Sequence, residues 1–174
     1  MPVIMADSRR DFEVHRYPAP LYLVVIVAAL VLQAMLPRAV GQNHIWFDFP
    51  LVITIYFALG RRSPIQGMTI GCFVGIFEDA LTHHAIGING IAKTVAGYLA
   101  ASVGIRIDAQ NYLVRVLLNF ALTLLCNALY LFIYRGMLGM ELEWSWLTSL
   151  LQALGNSLIA LVFFPFLDRF QRHD

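Results

Sequence analysis

The chain is predicted to be all-α: a polytopic membrane protein with six transmembrane helices in one compact domain. Three observations lead there. Its 174 residues are 59% hydrophobic and only 13% charged, about half the charged fraction of an ordinary soluble domain. The apolar residues fall in continuous blocks, not in the alternating segments of about ten residues that a membrane barrel requires. The basic residues gather on one side of the layout those blocks define.

Residues 1–17 mix Arg9, Arg10 and Arg16 with Asp7, Asp11 and Glu13 and read as a polar cytoplasmic tail. A leader that long and that acidic, without a convincing A-x-A site, is not a secretory signal, so the first block, Leu21–Leu36, reads as an uncleaved anchor. The second, Ile45–Leu59, opens on Asp48-Phe49-Pro50, where proline suits a first helical turn and Asp48 can cap it. The third is Ile65–Asp79, beyond a turn at Arg61 and Arg62. The fourth, fifth and sixth are Ile86–Ile105, Tyr112–Tyr134 and Leu147–Leu167, with Pro165 marking the end of the sixth.

The second and third blocks are short, at about fifteen residues each, and fit either short spans in a thinned bilayer or one re-entrant hairpin. The hairpin would place two guanidinium groups mid-membrane at roughly 2.5–3.5 kcal/mol each, which favours six spans over residues 18–170 and a cytoplasmic tail at 171–174. Nine arginines (Arg9, Arg10, Arg16, Arg61, Arg62, Arg106, Arg115, Arg169, Arg172) then share one side, against Arg38 and Arg135 on the other. By the positive-inside rule both termini are cytoplasmic. Trp46, Trp144 and Trp146 fall at the opposite interface.

Within the third span Gly67, Gly71 and Gly75 recur every fourth residue, and Glu78 lies in the same arc of roughly 80°. The fourth carries a second stripe: Gly90, Thr94, Gly97, Ala101 and Gly104. Small residues at this spacing let helix backbones approach closely in lipid, where burying an apolar side chain gains nothing. The third and fourth spans are therefore expected to pack together, and the glycines serve that bundle or a partner helix. Lys93 lies across a short turn from Glu78 and Asp79, so an intramembrane pair with one or both acids is expected. The competing reading has Lys93 reaching to the interface and the acids facing water.

Asn119, Asn127, Gln152 and Asn156 set amides inside the last two spans, suited to interhelical hydrogen bonds or to lining a cavity. Asp168, beside Arg169, and Asp108, beside Arg106, read as solvated. Cys72 and Cys126 lie in apolar blocks without a C-x-x-C neighbour and read as buried free thiols. Glu78, Asp79, His83 and His84 have ligand chemistry for zinc, but their spacing matches no recognised protease signature. No G-x-S-x-G elbow or Ser/His pairing supports nucleophilic catalysis. No cofactor, metal or catalytic residue is expected. A net charge of +1 with a single lysine gives no basic face for nucleic acid.

Taken in order, Asp48-Phe49-Pro50, Gly71-x-x-x-Gly75-Ile76-Phe77-Glu78-Asp79, Gly87-Ile88-Asn89-Gly90 with Lys93-Thr94-Val95-Ala96-Gly97-Tyr98, and Asn156-Ser157-Leu158-Ile159-Ala160 before Phe164-Pro165 resemble the bacterial rod shape-determining protein MreD family, from about Tyr17 to Phe170. The family's acid after the glycines matches Asp79, leaving Glu78 as an additional charge. The resemblance implies a fold similar to the S components of energy-coupling-factor transporters. It also implies a non-enzymatic inner-membrane scaffold of the cell-elongation machinery. Such a protein would bind the membrane helix of MreC amid membrane lipids and, through MreC, connect to RodA, a penicillin-binding transpeptidase and MreB in control of peptidoglycan synthesis and cell shape.

Two rivals stand beside it. A vitamin-binding S component would need a polar pocket near the outer face, for which the sequence offers Asn89, Lys93, Glu78, Asp79 and Trp144. An intramembrane hydrolase would use Glu78, His83 and His84.

Overall fold

A computed structural model describes residues 19–40, 47–82, 85–107, 111–139 and 144–169, and among them all regular structure is helical. The elements are α1 (Ala19–Val40), α2 (Phe49–Arg61), α3 (Pro64–Thr82), α4 (Ile88–Arg106), α5 (Tyr112–Leu131), which runs on into a π-helical turn at Phe132–Met137, and α6 (Trp146–Asp168). The N-terminal tail, Trp46, His83, His84, Asp108 and the C-terminal tail lie outside the described residues.

Local chemistry sets the boundaries. Asp48 accepts a hydrogen bond from the Leu51 amide at 2.9 Å and caps α2, with Pro50 in the first turn, where its missing N–H costs nothing. Arg62 turns left-handed at φ 50° and Pro64 restarts the chain as α3. Asn111 caps α5 through the Leu113 amide at 3.0 Å. Pro165 does not end α6, which continues to Asp168; a proline this close to the terminus frees few carbonyls.

α2 is the centre of the molecule. Every residue from Pro50 to Leu59 is buried, as expected of a helix apolar on all sides. One face meets Tyr22, Ala29, Ala160 and Phe164 of α1 and α6. The other meets Ala92, Ala96, Ala100, Leu122 and Cys126 of α4 and α5. At 13 residues, about 20 Å, it is shorter than each of the helices that wrap it. The third block is longer than its apolar run suggested: α3 spans 19 residues and carries Glu78 and Asp79 inside the helix.

Consecutive helices run in opposite directions, as contacts at the two ends of α2 require. At its start, Gln33 of α1 donates to the Phe47 carbonyl at 3.2 Å. At its end, Arg61 donates to Tyr22 Oη at 2.9 Å, and Tyr56 donates to Asp168 at 2.8 Å.

Polarity is inverted relative to a water-soluble domain. Glu78, Asp79, Lys93, Asn119 and Asn156 are buried, while Leu23, Phe73, Leu117, Leu158 and Val162 are exposed. An apolar exterior this continuous suits lipid rather than water. Two helices, Tyr112–Met137 and Trp146–Asp168, are long and apolar enough to cross a membrane.

Candidate functional site: a buried charge cluster and an adjoining polar cavity

The glycines of α3 abut the backbone of α4. A methyl group on Gly71 would lie 2.6 Å from the Lys93 carbonyl carbon, one on Gly75 would lie 2.6 Å from Gly90 Cα, and one on Gly67 would lie 3.0 Å from Ala101 Cβ and collide with the Gly97 carbonyl. Such proximity maximises dispersion and Cα–H···O contacts between helices. Gly97 faces Gly67 in return. Gly104, expected on the same stripe, instead meets the Leu59 carbonyl of α2. It sits at the edge of the arc, and α4 is gripped from both sides.

The same seam presents Lys93, which is 1% exposed. Its ammonium donates to Glu78 of α3 and to Asp48 Oδ2 at 2.9 Å. One cation thus pins three helices. Asp79, expected as a possible partner of Lys93, is engaged elsewhere. It accepts from the Gly87 amide at 2.8 Å, the Asn89 amide at 3.2 Å and Asn89 Nδ2 at 2.7 Å. Gly87, left-handed at φ 104°, has no side chain with which to cap α4. Asp79 therefore supplies the carboxylate that the helix N-terminus favours.

Asp48 does more than cap α2. Besides its bonds to Leu51 and Lys93, its amide donates to Asn156 Oδ1 at 2.8 Å, and Asn156 donates to Thr123 at 3.2 Å. Gln33 accepts from the Phe49 amide at 3.3 Å. The five other helices thus each send a side chain to the start of α2, α1, α4 and α6 directly and α3 and α5 through one intermediate. Of the predicted amides, Asn127 and Asn156 bond across α5 and α6, while Asn119 donates to the Arg115 carbonyl of its own helix at 3.1 Å.

At the other end of α2, Asp168 pairs with Arg115 at 2.6 Å and accepts from Tyr56, so it is not merely solvated beside Arg169. Cys126 is buried and Cys72 half-buried; both are free.

Beside the charge cluster, α5 and α6 separate around a cavity of about 520 Å³. Asn127 and Tyr130 of α5 face Thr148, Ser149 and Gln152 of α6 across it, with Trp144 and Ser145 leading in. Asn127 donates to Gln152 Oε1 at 2.9 Å. Of the amides suited to lining a cavity, Asn127 and Gln152 line it; of the residues named for a vitamin pocket, only Trp144 does. Glu78, Asp79, Lys93 and Asn89 are engaged with one another and with the turn before α4.

The family model for rod shape-determining protein MreD matches residues 16–173, nearly the whole chain. No curated protein and no solved structure matches it.

Proposed function

We propose, because the chain belongs to the rod shape-determining protein MreD family, that it is a non-enzymatic, six-span scaffold of the bacterial inner membrane with both termini in the cytoplasm. In this reading residues 18–170 form the membrane domain. It receives the membrane helix of MreC and holds MreC in position for the wall-synthesising partners, RodA and a penicillin-binding transpeptidase, and for MreB. The observation that carries the scaffold reading is the use of the buried polar groups. Lys93, Glu78, Asp79 and Asp48 spend their bonding capacity on one another and on helix ends, which suits a rigid support.

An apolar groove of about 440 Å³ between α1 and α3 supports a seat for one added helix; Val27, Leu30, Ile70, Phe73 and Phe77 line it. Exposed large side chains on both walls give a partner helix knobs to pack against.

Co-purification with MreC in mild detergent tests the reading. Replacing MreC's membrane helix with an unrelated one is expected to abolish capture. Val27→Trp in the groove is expected to weaken capture, whereas Leu158→Trp on the outer face of α6 leaves it unchanged. Capture that survives the helix replacement removes the basis of the mechanism. Labelling a cysteine placed at Ser63 tests the orientation: the proposal requires modification from the cytoplasmic side only.

A further inference from the structure

The cavity between α5 and α6 has a chemistry that the scaffold role does not use. None of the seven described residues lining it is charged, although the charge cluster lies close by through Asn156 and Asp48. Among these seven a charged ligand would find no counter-ion to offset its desolvation. The lining offers neutral donors and acceptors. Among the described residues, no hydrogen bond engages the hydroxyls of Ser145, Thr148 or Ser149 or the indole N–H of Trp144, so these groups are available to a ligand. The Asn127–Gln152 bond fixes two amides in orientation and leaves each with further bonding capacity.

Two aromatic rings complete the site. Tyr130 is held by stacking on Tyr134, with ring centroids 5.6 Å apart, and Trp144 is braced edge-on by Trp146 at 4.2 Å. Directly beyond Tyr130 the helix widens into the π-helical turn Phe132–Met137, a distortion that is frequent beside functional sites. The volume lies within the range of small-molecule pockets. Neutral hydroxyls and amides combined with flat, electron-rich faces match a ligand that presents many hydroxyls around an apolar ring face.

We infer that this cavity binds a neutral, hydroxyl-rich pyranose ring, either as a free sugar or as the head of a lipid whose chain lies along the apolar exterior. The inference is independent of MreC capture and stands or falls separately.

The test uses the full-length protein in a phosphocholine detergent, which contributes no sugar, with tryptophan fluorescence as the readout. Three probes are titrated: methyl β-glucoside, an alkyl β-glucoside doped into the micelle, and glucuronate. A saturable change with methyl glucoside, at least about tenfold weaker in Thr148→Val and in Ser145→Ala, establishes a free-sugar site; tenfold is the loss of one good hydrogen bond. The same pattern with the alkyl glucoside alone establishes a glycolipid-head site. Both variants alter exposed side chains, and an unchanged melting temperature checks that they fold. No saturable change with either neutral probe overturns the proposal. So does an alkyl-glucoside response that the variants do not weaken, or glucuronate binding as tightly as the neutral sugars.

Discussion

Helix pairs α3–α4 and α5–α6 are both antiparallel neighbours, yet they are joined by opposite means. On the α3–α4 seam glycine meets backbone, so that Gly71 touches the Lys93 carbonyl and Gly67 and Gly97 touch each other. Nothing larger than a hydrogen atom fits between them. The α5–α6 pair is joined by separate polar rungs: Asn127–Gln152, Asn156–Thr123 and Arg115–Asp168. Rungs hold helices at side-chain distance and leave space at one end. The first pair is suited to fixing a shape and the second to admitting a ligand, in a chain where lipid removes the hydrophobic drive for either.

The largest expected effect comes from forcing the closed seam apart. Gly71→Leu should leave no folded monomer on size-exclusion chromatography. Gly71→Ala, whose added carbon has only rigid backbone to push against, should cost about 3 kcal/mol in detergent-titrated unfolding. Gly136→Ala supplies the comparison. Its new carbon would meet the Phe132 ring at an ordinary 3.7 Å, so a change within about 0.5 kcal/mol is expected. Equal costs at the two glycines would mean that the seam is looser than its geometry.

The charge cluster should respond asymmetrically. Lys93→Met leaves Asp48 and Glu78 facing each other without a cation, and removing one member of a buried ion pair costs about 3–5 kcal/mol. Glu78→Gln keeps the Lys93–Asp48 pair and a hydrogen-bonding group at position 78, so no more than about 1.5 kcal/mol is expected. Charge reversal, with Lys93→Glu and Glu78→Lys together, should not restore stability, because the new carboxylate at 93 would face Asp48. If Lys93→Met and Glu78→Gln cost the same, Asp48 is not the third partner.

The closed pair was the more legible of the two. Glycines every fourth residue state their face directly, and Lys93 lies only fifteen positions from Glu78 across one turn. Asp48 was read as a helix cap, which it is. Its second role needed a partner 45 residues away, brought near because α4 packs against both α2 and α3. The neighbour of Gly104 is not legible, because a wheel angle gives the face of a helix but not which neighbour covers it; here that neighbour is α2. The wrapped position of α2 was hidden for a similar reason: a mostly apolar helix of thirteen residues looks like a short span until five other helices are placed around it. The α5–α6 cavity was the least legible. A cavity is a lack of packing, and Asn127, Thr148 and Gln152 each have an ordinary meaning when read one at a time.

On the open side, effects on stability should be smaller. Gln152→Leu removes one rung, and interhelical hydrogen bonds in membranes average about 0.6 kcal/mol, reaching roughly 1.7. Even the upper figure is well below the glycine and lysine changes, since α5 and α6 keep their other rungs and Phe164 remains packed against Tyr56 at 4.8 Å.

Thr148→Val should have the smallest effect on stability. The side chain is exposed and its hydroxyl bonds to nothing among the described residues, so the melting curve should move by less than about 0.5 kcal/mol. A residue that stabilises nothing yet faces a polar cavity separates structural from recognition roles more cleanly than Gln152, whose loss does both. If Thr148→Val instead destabilised the protein as much as Gln152→Leu, its hydroxyl would be a further rung. The contrast between a sealed pair and an open one would then narrow to a difference in spacing alone.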